Sequence, residues 1–314
     1  MNQRKKNIRL LIYLVTLVVI TLMVYYSGKE RSGVSFDKNK FTLDEHTVIT
    51  EVILEGNDYV NRLVYNNGAW EVNGRFLLDK GMRDVFFAVL SQVEVKRPAS
   101  ESVTDSLLLV FRTVGINVRI LNNSEVIKSY AVVGDTDRFT TWFLAEKEQQ
   151  PYLMQIPGYH SFIAGIYRVS ENDWRERFIW TMEWTRLKKF TVDYTDESLQ
   201  DLVFEYADNI IRVPEIDAMD TAEVMDYLQF AANLQAERFL EEDESIAYNI
   251  QLNKMPYAMV KFEEIGNRHN SLALYPLAPD NNYVFGILNN DQAILLDKQN
   301  VLFLYRHPAD FRLN

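Results

Sequence analysis

The residues best suited to acid–base or metal chemistry near neutral pH are four histidines, His46, His160, His269 and His307, scattered over 314 residues. None has a second histidine at i+3 or i+4, the spacing that sets two imidazoles on one helix face around zinc. No G-x-S-x-G elbow or phosphate-cradling glycine loop appears, and only 12 glycines serve the whole chain. Cysteine is absent, which removes thiol nucleophiles, disulfides, cysteine metal sites and lipoprotein-type acylation. Gly134-Asp135-Thr136-Asp137 comes nearest to a metal constellation, because two carboxylates at i and i+2 can begin a calcium loop. Arg138-Phe139-Thr140 supplies neither the further oxygen ligands nor the bidentate glutamate, so the stretch reads as a solvated hairpin turn. Asp280-Asn281-Asn282 reads as turn chemistry, and Glu241-Glu242-Asp243-Glu244 as a solvated acidic run. These residues assign no catalytic, cofactor-binding or metal-binding role.

Binding residues are easier to nominate. Trp174, Trp180 and Trp184 put three of the chain's five tryptophans into one short stretch. With Phe178 they suit a buried junction between two units, since aromatics bury large areas there. Exposed beside Arg175 or Arg177, the same rings would anchor a partner. A second partner surface is the irregular run 156–162, with Tyr159, His160 and Phe162.

The elements that must position these residues begin with Leu10 to Gly28, a run without charge behind Arg4, Lys5, Lys6 and Arg9. As a helix it spans roughly 28 Å, close to the ~30 Å hydrocarbon thickness. Val24-Tyr25-Tyr26-Ser27 offers no small-residue cleavage site, so residues 1–28 read as a retained single-pass anchor with a cytoplasmic N-terminus. The bulk of the chain is then expected outside the cytoplasm, at the cell membrane. Residues 29–47 read as a polar tether. The net charge of −11 makes nucleic acid a poor partner and argues against lying flat on anionic lipid. The membrane is therefore met through the N-terminal helix, and another envelope protein is the expected partner.

Beyond the tether the pattern is α+β. Ile49–Leu54, Asn61–Tyr65 and Ala69–Val72 read as strands, with Asn66-Asn67-Gly68 as a tight turn. A helix follows, with Asp79 as N-cap and Met82, Val85, Phe86, Val89, Leu90 and Val93 on one stripe. After a polar stretch beyond Pro98, strands are expected at 115–121, 126–133, 140–144 and 152–156. The same order recurs about 140 residues later. Strands at 187–194, 202–206 and 210–213 precede a helix opened by Asp220, with Val224, Tyr227, Leu228, Ala231 and Ala232 at matching offsets. Strands at 257–262, 271–275, 283–288, 293–296 and 301–305 complete the copy. The expectation is an N-terminal transmembrane helix followed by two tandem repeated units, each of antiparallel strands with one covering helix. Their bounds are 48–169 and 187–314, joined by an aromatic junction at 170–186.

Phe41-Thr42-Leu43-Asp44, Gly68-Ala69-Trp70-Glu71-Val72-Asn73-Gly74, Val95-Lys96-Arg97-Pro98 and Val133-Gly134-Asp135 together resemble the domain of unknown function 4340 family. The resemblance continues through Ile156-Pro157-Gly158-Tyr159-His160-Ser161-Phe162 and Asp173-Trp174-Arg175-Glu176-Arg177. It implies a bacterial, envelope-associated protein, in some members beside gliding-type ABC transporters, and it carries over no catalytic residue. The sequence reads as a binding or scaffold protein. The alternative is an envelope hydrolase or sugar-modifying enzyme whose carboxylates meet only in the fold.

Overall fold

The computed structural model describes residues 11–23, 36–44, 46–180, 186–207, 210–214, 216–246, 254–266, 268–275 and 282–313. Residues 11–23 form helix α1, whose apolar side chains all stand exposed, from Val19 at 46% to Met23 at 69%. Its described length is about 20 Å at 1.5 Å per residue, short of the ~30 Å hydrocarbon core. Among the described residues no helix is long and apolar enough to cross a membrane, which corrects the transmembrane helix expected within 1–28.

Strands β1 (Glu51–Glu55), β2 (Val60–Asn66), β3 (Ala69–Val72), β4 (Phe76–Leu77), β5 (Glu94–Pro98), β6 (Ile116–Asn122), β7 (Glu125–Asp135), β8 (Thr140–Ala145) and β9 (Tyr152–Gln155) form a nine-stranded sheet. Its order is β4-β3-β2-β1-β6-β7-β8-β9-β5. The second sheet contains β10 (Leu187–Tyr194), β11 (Leu202–Ala207), β12 (Ile210–Arg212), β13 (Arg238–Phe239), β14 (Ala258–Glu264), β15 (His269–Tyr275), β16 (Tyr283–Leu288) and β17 (Gln292–Asp297). Its order, β12-β11-β10-β14-β15-β16-β17-β13, is that of the first sheet without the added edge strand β4. Turn chemistry sets the hairpins. Asn67 and Gly68 between β2 and β3 take φ of 50° and 89°, the left-handed pair a two-residue hairpin requires.

Helices α2 (Lys80–Gln92) and α3 (Glu101–Val114) belong to the first half of the chain. The second half carries α5 (Thr221–Ala232), α6 (Glu242–Ile246) and α7 (Lys298–Leu304), after the four-residue α4 (Glu171–Trp174). One covering helix per copy is therefore too few, and the polar stretch expected after Pro98 is α3. The strand expected at 301–305 is also helical. The Asp297 carboxylate accepts from the amides of Gln299 and Asn300, and Val301 and Leu304 bury one helix face.

The chain divides into two compact units interleaved in sequence: Met1–Thr47, Ala88–Gly115 and Ser129–Ala164 in one, Val48–Phe87, Ile116–Lys128 and Gly165–Asn314 in the other. The first is centred on Tyr130 stacked on Phe143 at 4.8 Å, with Phe41 edge-on to both. The second has two aromatic centres. Phe86 meets Tyr167 and Trp174 at 5.6 and 5.5 Å, while Phe204 packs on Tyr227 and Phe311 at 5.4 and 5.3 Å. Phe86 and Leu228 are both fully buried. Truncation of Phe86 to Ala is expected to cost about 3 to 5 kcal/mol, read as a lowered urea midpoint.

Beside Phe204 lies a group of phenols. Tyr227 donates to the Leu304 carbonyl at 2.8 Å, and burial raises its pKa. Burial also pushes the Tyr194 phenol up to about 12. The unfolded chain ionises such phenols near pH 10, where the folded chain still holds the proton. This stabilisation is fully present below pH 10 and is lost as pH rises through about 12. Unfolding midpoints measured from pH 9 to 12 should therefore fall above about pH 10, with Tyr194→Phe flattening the decline.

Candidate functional site

In the unit containing α3, the sheet face beneath that helix forms a groove of about 620 Å³. The floor follows from ladder register. Val133 pairs with Trp142, Trp142 with Leu153, and Leu153 with Arg97, so one side chain from each of β7, β8, β9 and β5 stands in a row on the same face. Asp135 and Thr140, paired two residues along, continue it toward the turn. Val103, Leu107 and Val110 of α3 form the roof at i, i+4 and i+7. Ser100, Thr136 and Arg138 stand at the rim.

Arg97 is the distinctive group. A bulge at Lys96 shifts β5 against β9, so that Val95 is buried while Lys96 and Arg97 are both exposed. The Arg97 guanidinium lies over the Trp142 ring at 5.6 Å and donates to the Pro98 carbonyl at 3.4 Å. Among the described residues no carboxylate pairs with it. Asp135 is otherwise engaged: its Oδ1 accepts from the Asp137 and Arg138 amides at 3.0 and 3.1 Å, and Arg138 Nε stands 3.7 Å from Oδ2. The Asp135–Asp137 turn is thus closed on itself, with Phe139 at φ 53°. Among the described residues no group of three or more His, Asp or Glu is placed to hold a metal ion.

Tyr159 and His160 are exposed and line a separate cleft of about 280 Å³ with Lys96, Phe139 and Met154. Phe162 is half-buried, edge-on to Phe139 at 5.9 Å. It also fills space beside Gly134, where a Cβ would stand 2.6 Å from its ring. The two clefts share strands β5 and β9 but use alternate residues, Arg97 and Leu153 for the groove, Lys96 and Met154 for the cleft.

The tryptophan segment lies in the other unit, where Trp174 and Trp180 are buried while Phe178, expected to be buried with them, stays 37% exposed. Trp174 is fully covered, and Trp180 is 5% exposed with its indole donating to the Ala231 carbonyl at 2.7 Å. Both rings serve packing. Trp184 lies outside the described residues. Arg175, which would serve as an anchor only in the exposed alternative, is buried and sandwiched, its guanidinium 3.8 Å from the Phe76 ring centre and 3.5 Å from that of Phe239. Nη1 donates to Gln292 Oε1 at 3.3 Å, and burial lowers the pKa to about 10.

No family model matches the sequence, and no curated protein or solved structure matches it significantly. In sequence the groove is hidden because α3, the run after Pro98, opens with polar residues. Its apolar residues at 103, 107, 110, 111 and 114 carry the helical period, and Ser100 marks its start. Arg97 gave no such signal, since a lone arginine on an edge strand is usually solvated.

The Arg175 sandwich is directly testable. Arg175→Ala removes two aromatic-face interactions and should cost about 2 kcal/mol or more in urea unfolding. Because its buried Nε–H finds no acceptor, Arg175→Met should recover part of that loss.

Proposed function

We propose that this chain is a binding protein whose ligand occupies the groove beneath α3. The observation that carries the reading is an unpaired guanidinium held over Trp142 at the edge of an apolar trough. A ligand anion there would gain a charge-assisted hydrogen bond without displacing a protein carboxylate. The volume of about 620 Å³ lies within the range of small-molecule sites. The groove offers no histidine, and its single carboxylate is tied into the turn, so its chemistry favours recognition over turnover.

The same reading attaches the protein to a membrane through α1. Its apolar side chains are exposed on every face, and Arg4, Lys5, Lys6 and Arg9 stand ahead of it. The resemblance to the domain of unknown function 4340 family supports an envelope setting.

The test is a benzophenone side chain placed at Val110 of the full chain in cells. Illumination should yield a discrete adduct that Arg97→Glu weakens at unchanged protein level. Absence of any adduct overturns the binding-site reading.

A further inference from the structure

We infer that the ligand of this groove is an anionic amphiphile, an alkyl or acyl chain ending in an oxyanion, a choice that rests on the binding-site reading above. The row Val133, Trp142, Leu153, Arg97 crosses three inter-strand spacings, about 14 Å, and ends in the cation. It runs from apolar side chains to a planar guanidinium, the polarity of an aliphatic tail with a carboxylate or phosphate head. Val133 and Leu153 of the floor are already buried, whereas Val103 and Val110 along the roof remain 39% and 38% exposed and Trp142 is half-buried, so these three supply the apolar surface a tail would cover.

The floor separates this ligand from a peptide. It is the face of a hydrogen-bonded ladder, and the backbone groups of β7, β8 and β9 are spent on their neighbours. An extended peptide laid across it would lose water from its own amides and find few partners. An aliphatic chain has no such groups to satisfy. A helical peptide satisfies its own amides, but its diameter of about 10 to 12 Å is too broad for 620 Å³ over any useful length.

Charge adds selectivity. A protein of net charge −11 repels anions at long range, and with Arg138 paired to Asp135 it is the Arg97 guanidinium that admits one. Arg97 presents a fork suited to two oxygens of one head group, and its stacking on Trp142 limits the freedom lost on binding.

The experiment titrates the full chain with dodecanoate, dodecyl phosphate, dodecanol and dodecyltrimethylammonium below their micelle concentrations, reading tryptophan emission, with Trp142→Phe assigning the change to the groove. Both anions should bind at least about tenfold more tightly than the alcohol or the cation. Arg97→Ala should bring that ratio close to one while alcohol binding persists, and Arg97→Lys should restore part of it. Vesicles containing phosphatidylglycerol that produce the same Arg97-dependent change identify a bilayer lipid as the source, and vesicles that do not identify a free amphiphile. Equal affinity for all four probes, or a change insensitive to Arg97, overturns the inference. A protein-sized adduct at Val110 together with silent titrations leaves the binding groove standing and rejects the amphiphile. Absence of adduct and of titration rejects both.

Discussion

Residues 174–180 form the strap on which one compact unit depends, because each side of it is hydrogen-bonded to a different part of the chain. Toward the first sheet, the Asp79 amide donates to the Trp174 carbonyl and the Glu176 amide to the Leu77 carbonyl, at 2.8 and 2.7 Å. Toward the second, the Ala236 amide donates to the Arg177 carbonyl and the Ile179 amide to the Leu234 carbonyl, at 2.8 and 3.1 Å. Arg175 completes the joint between Phe76 and Phe239, residues 163 positions apart in sequence. A guanidinium stripped of water and held by two ring faces costs desolvation, and that cost is met only while both rings stay in place. The strap is therefore a joint with one good geometry.

The two sheets share a strand order and differ at one edge. At the corresponding edge one sheet carries five-residue β5 and the other two-residue β13. The next helix has fourteen residues in α3 and five in α6. Phe239 of β13 is spent on Arg175, whereas Arg97 of β5 is left beside an apolar trough under a long helix. One edge became part of the core and the other a groove. The N-terminal segment closes the outer side of β5, where the Val95 amide donates to the Lys38 carbonyl at 2.8 Å. The edge is thereby protected from pairing with other chains.

Much of the element pattern is legible in sequence because alternation and turn chemistry act locally. Strands 69–72, 187–194 and 283–288 stand where period-two alternation and flanking turn residues put them. The stripes of α2 and α5 are visible for the same reason, with Phe86 and Leu228 buried, although Val85, placed on the α2 stripe, stands 54% exposed. Failures came where two periods fit one apolar run. Val301-Leu302-Phe303-Leu304 suits a strand or a helix, and only the Asp297 cap decides. The run 101–114 opens with polar residues that hide its period. The uncharged N-terminal run suggested a spanning helix by length, but among the described residues no helix is long and apolar enough to cross a membrane.

What the sequence determined by itself is composition and local order: an acidic, cysteine-free chain of mixed α+β character, with turns at Asn-Gly steps and aromatics enough for large cores. The tertiary structure alone decided which side chains meet. Ladder register places Arg97 in a row with Val133, Trp142 and Leu153, and a one-residue slip would send each of these to the opposite face. Register is set by the packing of whole sheets and by the bulge at Lys96, which leave no mark on the few residues around Arg97. Burial of Trp174 and Trp180 has the same origin, since a ring is exposed or covered according to segments far away in the chain.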